Sequence, residues 1–133
     1  MGKRHVIHIP GVEHKAPIPA GVLIGGLLFS SAINGKDPAS GQYPDDAGEQ
    51  MRLAFANMAT LVREAGGDVD DIAHVTVFLQ DLSAKKLLDE HWLTMFPDPS
   101  DRPARHAVKV DRAGSMLVQL EIIAVLSERT STP

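Results

Sequence analysis

The 133-residue sequence contains no cysteine, and this absence excludes disulfide bonds, catalytic thiols and thiolate metal sites. It also lacks an apolar run long enough to cross a membrane. The N-terminal stretch MGKRHVIHIPG has no apolar core of the kind found in secretory signals, and valine at position 6 argues against N-myristoylation. These absences predict a cytoplasmic protein that has no membrane partner.

A strong charge of one sign is missing as well. Thirteen Lys and Arg residues face seventeen Asp and Glu residues, and the net charge of -4 is spread along the chain without a basic block. Aromatic residues make up only 5% of the sequence. A face that is both basic and rich in aromatics is therefore not expected, which argues against binding of nucleic acid. The length predicts one domain over residues 1–133 with a hydrophobic core of its own.

Two segments have apolar residues at helical spacing. The first helix is predicted to begin at Asp46, since Glu49 follows at the spacing of a capping box, and to end at Gly66. The second is predicted to be capped by Ser83 and stopped by Pro97. Alternating or β-branched runs predict strands at 6–9, 22–24, 27–31, 72–79, 105–110 and 116–126. The last two strands are joined through Gly114, and residues 127–133 form a short low-complexity tail.

The resulting order of elements is β, β-β, α, β, α, β-β. Two helices and about six strands in one domain predict an α+β fold in which both helices pack on one face of a sheet.

Histidine and serine patterns give no specific catalytic signal. The six histidines include no HExxH motif and no paired spacing on a helix, so no metal is predicted. His91 falls on the apolar stripe of the second helix, where a core or interface histidine is favoured. The stretch Ser83-Ala-Lys-Lys86 matches the SxxK pattern of penicillin-recognising enzymes, but neither SDN nor KTG accompanies it. Ser83 is therefore interpreted as a helix cap.

Two charged residues stand out because they interrupt predicted strands. Arg105 opens one strand, and Glu121 lies within the apolar run Leu117–Val125. A carboxylate in a buried strand is costly unless a partner neutralises it. If the two strands are adjacent, Arg105 and Glu121 can form a structural ion pair, which is the reading favoured by these residues taken alone. The other reading is that Arg105 is a fork for a substrate carboxylate.

The order of several short stretches resembles the RidA/YjgF family of enamine and imine deaminases. The matching stretches extend over about residues 22–126 and are LFSSAI at 28–33, DPASG at 37–41, EQ at 49–50, FAN at 55–57, AG at 65–66, DDI at 70–72, TVFLQD at 76–81, RPAR at 102–105 and EIIAV at 121–125. Each stretch is weak by itself, and their common order and spacing make the set specific.

The resemblance implies a fold like that of the small trimeric chorismate mutases, with a central barrel-like core and three clefts between subunits. It implies that Arg105 holds the carboxylate of a 2-imino acid and that Glu121 positions the attacking water. Backbone N–H groups of Ser30, Ser31, Ala32 and Ala107 would complete the carboxylate cradle. Hydrolysis of an imine needs positioning and one proton transfer, so no cofactor is expected.

The sequence departs from the family pattern around the implied site. The usual Gly-Pro-Tyr-Ser-Gln stretch is replaced by Ala16–Gly21, so the tyrosine that walls the pocket has no counterpart. Ala107 stands where the family has a cysteine, Ser31 where it has a glycine, and Asp89 where an asparagine is usual. Retained Arg105 and Glu121 with a changed wall indicate retained chemistry on an altered range of substrates.

Three functions compete at this point. The first is a deaminase that hydrolyses reactive 2-imino acids or enamines to 2-oxo acids and ammonia. The second is a non-catalytic trimer that binds small carboxylate metabolites in the same cradle. The third is an RNA-directed activity, against which the acidic balance of the sequence argues.

Overall fold

The computed structural model of the protein describes residues 3–111 and 115–126. It contains two α-helices, α1 (Ala47–Glu64) and α2 (Lys85–Met95). The strands are β1 (His5–Ile7), β2 (Gly21–Ile24), β3 (Leu27–Ser30), β4 (Ile33–Asn34), β5 (Ile72–Leu79), β6 (Ala104–Lys109) and β7 (Val118–Val125). The predicted connection through Gly114 and the tail at 127–133 lie outside the described residues.

All seven strands belong to one mixed sheet in which most pairs are antiparallel. The strand order is β1-β2-β3-β7-β5-β6, and the short β4 pairs with β7 beyond the end of β3. β5 and β6 form the parallel pair, connected through α2. The α+β class and the placement of both helices on one face are confirmed. The prediction of about six strands missed β4, because two residues are too few to show any alternation.

Helix α1 begins and ends where its sequence signals indicate. The carboxylate of Asp46 accepts a hydrogen bond of 2.9 Å from the backbone N–H of Glu49. The reciprocal half of the capping box does not form, because the Glu49 carboxylate instead pairs with Arg52 at 2.6 Å, and this pairing lowers the pKa of Glu49. Gly66 ends the helix with a φ of 93°, a backbone angle that glycine adopts without strain.

The start of the second helix differs from the prediction, since Ser83 is not its cap. Residues Leu82–Ala84 form a short 3₁₀ turn, and the carboxylate of Asp81 caps that turn by accepting from the Ser83 N–H at 2.9 Å. These hydrogen bonds lower the pKa of Asp81. Helix α2 then starts at Lys85 without any side-chain cap. An aspartate two residues upstream competes successfully with serine because the 3₁₀ turn moves the first free N–H groups toward it.

The core lies between the helices and one face of the sheet. Its largest buried side chains include Leu28, Met58, Leu61 and Ile122, none of which is more than 2% exposed. None of the described helices covers the opposite face of the sheet. Several large apolar side chains are exposed there, and those on β3 and β7 are exposed by 39–51%, namely Leu27, Phe29, Ile123 and Val125. They form two cross-strand pairs, Leu27 with Val125 and Phe29 with Ile123. We call these four residues the open-face patch.

Two buried amides on α1 tie the surrounding loops to the helix. Gln50 donates from Nε2 to the carbonyls of Pro44 and Ser115 and accepts at Oε1 from the N–H of Leu117 at 3.0 Å. Asn57 donates from Nδ2 to the carbonyls of Asn34 and Lys36 at 2.8 and 2.9 Å. Gln50 thereby fixes the chain that leads into β7, the strand that carries Glu121.

No helix in residues 3–111 and 115–126 combines the length and apolar character that a membrane crossing requires.

Candidate active site

Arg105 lies on β6, which is an edge strand of the sheet. Its register partner on β5 is Val75, and the partner of Val75 on β7 is Ile122. Val75 and Ile122 are both buried under the helices, so Arg105 shares the helix-covered face of the sheet. There its guanidinium carbon is 5.0 Å from the ring centre of Trp92 on α2. A guanidinium over the face of a tryptophan ring is attracted to that face, and this attraction restrains the position of the Arg105 side chain.

The charge of Arg105 has a partner in the same helix. Its Nη1 atom lies 2.8 Å from Oδ1 of Asp89, and the two side chains are 20% and 51% exposed. The N–H bonds of Nη1 are not aligned with that oxygen, so this buried atom forms no hydrogen bond within the described part of the chain. The contact is therefore an ion pair without a directed hydrogen bond, and Nη1 is a buried donor without an acceptor.

Glu121 faces the other side of the sheet. It pairs in register with Thr76, which in turn pairs with His106, and its side chain is exposed. One strand, β5, separates β7 from β6, so Arg105 and Glu121 are two strand spacings apart, roughly 10 Å, in addition to facing opposite ways. The structural ion pair that the sequence favoured does not form within the chain. Its premise was wrong, because the two strands are not adjacent and Glu121 is not buried.

The residues predicted to cradle a carboxylate divide between these two places. Ser30 lies next to Glu121 along β7, because its hydroxyl oxygen accepts a 2.8 Å hydrogen bond from the N–H of Ile122, although its side chain shares the face of Ile122 and not that of Glu121. The Ser31 N–H donates to the carbonyl of Ala20 at 2.8 Å, and its hydroxyl donates to the carbonyl of Pro19. The Ser31 N–H is thus engaged within the chain and is not free for a ligand. Ala32 follows directly and is half-buried.

Ala107 lies two residues beyond Arg105 on β6 and pairs with Val77, so it shares the face of Arg105. The chain therefore carries two half-sites. We call Arg105, Ala107, Asp89 and Trp92 the arginine half-site, and Glu121 with Ser30 and Ala32 the glutamate half-site.

Asp89 and Trp92 are the functional neighbours that sequence reasoning did not connect to Arg105. The sequence singles out Asp89 only as a departure from the family pattern, and no motif in it links Trp92 to Arg105. Their spacing of three residues puts them on one side of a helix, and this is the signal that links them. That this side meets β6 follows only from the packing.

A cavity of about 480 Å³ opens elsewhere, between the N-terminal loop and the segment after β4. Its lining includes Lys15, Asn34, Lys36 and Tyr43, and neither Arg105 nor Glu121 takes part. Burial raises the pKa of the Tyr43 hydroxyl, and a hydrogen bond with Asn34 partly opposes this rise. This cavity is therefore separate from both half-sites.

His91 behaves as a packing residue, as the sequence indicated. Its ring lies 5.7 Å from that of Phe55, at an angle of 32°. Among residues 3–111 and 115–126, no three histidine or acidic side chains converge as metal ligands would.

Comparison with known proteins identifies the family. Residues 13–126 match the family model described as Endoribonuclease L-PSP. A RutC family protein of Aquifex aeolicus (strain VF5) is 34% identical over 117 residues, which cover 84% of this chain and 94% of the relative. The 2-iminobutanoate/2-iminopropanoate deaminase of Escherichia coli (strain K12) is 31% identical over 111 residues, covering 82% and 87% of the two chains.

Solved structures agree with this assignment. The crystal structure of Escherichia coli TdcF with bound serine superposes with a TM-score of 0.84 at 30% identity, covering 92% of this chain and 99% of the other. With the family model matched over most of the chain, and relatives above 30% identity along nearly their whole length, the chain belongs to the RidA/YjgF family, the family that the Endoribonuclease L-PSP model describes.

Proposed function

We propose that the protein hydrolyses small 2-imino acids, or the enamines from which they form, to 2-oxo acids and ammonia. The observation that carries this proposal is Arg105, whose guanidinium lies over the ring of Trp92 at an edge strand and whose Nη1 donor has no hydrogen bond among the described residues. A guanidinium in this state matches the planar two-oxygen geometry of a carboxylate, which every 2-imino acid carries. The name of the Escherichia coli deaminase among the relatives supports the same class of substrate.

We propose further that one site is built from two copies of the chain. Arg105 and Glu121 face opposite sides of the sheet, so they can act on one substrate only if the arginine half-site of one copy meets the glutamate half-site of another. The open-face patch supports such an assembly, because exposed apolar surface of this kind commonly marks a protein interface. The family resemblance favours a homotrimer with three equivalent sites.

In such a site Arg105 anchors the substrate carboxylate through paired N–H groups. The backbone N–H groups of Ala107, Ser30 and Ala32 are candidates to complete the cradle, whereas that of Ser31 would first have to leave Ala20. Anchoring of the carboxylate fixes the adjacent C2 carbon, which is the atom that water attacks. Holding both reactants in place removes most of the entropic cost of bringing them together.

Glu121 then serves as the proton carrier. Its carboxylate accepts a proton from the water as the oxygen bonds to C2, and the C=N bond becomes a single C–N bond in a carbinolamine. Transfer of that proton to nitrogen allows the C–N bond to break, so that ammonia leaves; the carbinolamine hydroxyl then gives its own proton to the Glu121 carboxylate as the C=O bond forms at C2. Substrate and water together contain all the atoms of the 2-oxo acid and ammonia, and no electrons are transferred to or from a cofactor.

The experiment that tests the proposal compares the wild type with Glu121→Gln. A 2-imino acid is generated in situ by an amino-acid oxidase, and ammonia release is measured above the spontaneous rate. We expect the variant to slow hydrolysis by about 10²- to 10⁴-fold, the usual scale for loss of a positioned acid or base. It should retain binding of 2-oxobutanoate, because the anchor is Arg105.

Glu90→Gln is the matched control, since Glu90 is an exposed carboxylate on α2 that is not part of either half-site. Its turnover should equal that of the wild type. Turnover that is unchanged in Glu121→Gln would remove Glu121 from the mechanism. Binding of 2-oxobutanoate without any ammonia release by the wild type would instead support the non-catalytic carboxylate binder.

A further inference from the structure

The arginine half-site contains a second carboxylate, that of Asp89, next to the group that is proposed to anchor the substrate. Oδ1 of Asp89 lies 2.8 Å from Nη1 of Arg105, and the aspartate is half exposed. Because the aspartate is half exposed, the ion pair contributes only modestly to stability, and a purely structural role explains the contact poorly. Asp89 belongs to α2 three residues before Trp92, which stacks on the same guanidinium. The helix therefore holds the negative charge and the ring against Arg105 together.

The geometry of the contact allows a ligand to bind without expelling Asp89. Nη1 makes no directed hydrogen bond to Oδ1 and is buried within the chain, so a substrate carboxylate would bind the guanidinium through its other N–H groups while Asp89 stays beside Nη1. A substrate carboxylate on Arg105 would consequently have the Asp89 carboxylate as a close neighbour. Any further charge on so small a substrate also falls within the Debye length of about 8–10 Å from Asp89, where screening by salt is incomplete.

We propose that Asp89 sets the substrate range of this site by its charge. The site accepts 2-imino acids that have one carboxylate and a neutral or cationic side chain, and it discriminates against imines of acidic amino acids, which carry a second carboxylate. Two like charges about 6 Å apart in a hydrated cleft change a dissociation constant by roughly 5- to 30-fold. Removal of the Asp89 charge relieves this repulsion for every carboxylate ligand and most strongly for a dicarboxylate. This inference rests on the proposed function, because it takes Arg105 as the anchor.

The test uses two stable 2-oxo acids that differ by one carboxylate, 2-oxobutanoate and 2-oxoglutarate. Their dissociation constants are measured by calorimetry for the wild type, for Asp89→Asn and for the control Glu90→Gln, which removes a carboxylate from the neighbouring position of the same helix. We expect Asp89→Asn to bind both ligands more tightly than the wild type does. The dissociation constant of 2-oxoglutarate should fall by a factor of roughly 5 or more beyond the fall for 2-oxobutanoate. Glu90→Gln should leave the ratio of the two constants as it is in the wild type.

Turnover gives a second, independent measure of the same selectivity. For the wild type, kcat/KM should be lowest for the imine generated from glutamate, higher for that from 2-aminobutyrate and highest for that from lysine. Asp89→Asn should reduce these differences in kcat/KM. Asp89→Ser provides a second way to remove the charge, and melting temperatures confirm that both variants are folded.

Three results would overturn the inference. If the ratio of the two dissociation constants stays within twofold of the wild-type ratio in both Asp89 variants, the charge of Asp89 does not discriminate between the two ligands. Weaker binding of both ligands by Asp89→Asn would make Asp89 a positioning residue for Arg105. In these two cases the proposed function survives, provided that the wild type releases ammonia. If the wild type neither binds 2-oxobutanoate at millimolar concentration nor turns over any imine, the proposed function itself fails, and this inference fails with it.

Discussion

The substitution Arg105→Lys distinguishes two roles for Arg105, which are binding of a carboxylate through two parallel N–H groups and provision of a simple positive charge. Lysine keeps the charge beside Asp89 but replaces a flat group with five N–H bonds by a point donor on a flexible stem. The guanidinium carbon lies 5.0 Å from the centre of the Trp92 ring, and an ammonium group has no planar surface to place over that ring. The variant therefore removes the geometry of the anchor and leaves its charge.

The size of the effect follows from the contacts. Loss of one of two parallel hydrogen bonds to a charged group costs on the order of 1–3 kcal/mol, which corresponds to about 5- to 150-fold in kcat/KM. The effect on stability should be much smaller, because the Asp89 partner is half exposed and such a pair contributes at most about 1 kcal/mol. For a domain of this length we therefore expect the melting temperature to fall by no more than about 4 °C.

The assay measures kcat/KM for hydrolysis of an imine generated in situ and, on the same samples, the melting temperature. Arg102→Lys is the matched control, since Arg102 belongs to the same RPAR stretch but donates from Nε to the carbonyl of Phe96 at 2.8 Å and from Nη2 to that of Pro97 at 3.3 Å. It should lower the melting temperature slightly without changing kcat/KM.

A kcat/KM of Arg105→Lys within twofold of the wild-type value would refute the hypothesis that Arg105 binds the substrate carboxylate through two parallel N–H groups. A fall of more than about 10 °C in melting temperature, several times the expected value, would show that Arg105 is chiefly a structural residue.

Two further predictions concern assembly and stability. Light scattering at micromolar concentration should give three times the monomer mass, and Ile123→Lys in the open-face patch should reduce that mass and abolish turnover; a monomeric wild type would remove the proposed site between copies. Gln50→Met keeps the volume of a fully buried side chain but removes three hydrogen bonds to the backbone, so it should cost about 3 kcal/mol and lower the melting temperature by roughly 10 °C. A change below about 3 °C would show that water replaces the lost partners.

Local signals in the sequence predicted the elements of the fold closely. The apolar spacing from Met51 to Val62 and the cap at Asp46 define α1, because both depend on residues within one or two turns of each other. The error at Ser83 has the same local character. Serine and aspartate are both good caps, and the choice between them depended on a 3₁₀ turn that no spacing in the sequence reveals.

The candidate site could be predicted from the sequence only in part. Arg105 and Glu121 were singled out by the sequence because each is a charge within an apolar strand, and the resemblance to a family gave both of them one role. Alternation also states which residues of a single strand share a face. It cannot state which strands are neighbours, because strand order depends on contacts between residues far apart in the chain.

The sequence by itself determined the α+β class, both helices, the main strands and the family, since these follow from periodicity, caps and ordered motifs. Only the tertiary structure decided that β5 lies between β6 and β7, which places Arg105 under α2 and Glu121 on the open face. It alone brought Asp89 and Trp92 to the guanidinium across the gap between a helix and a strand. The physical reason is that the apolar side chains become buried only when the complete sheet has formed. The pairing of distant strands, and not any local pattern, therefore determines which charged groups meet.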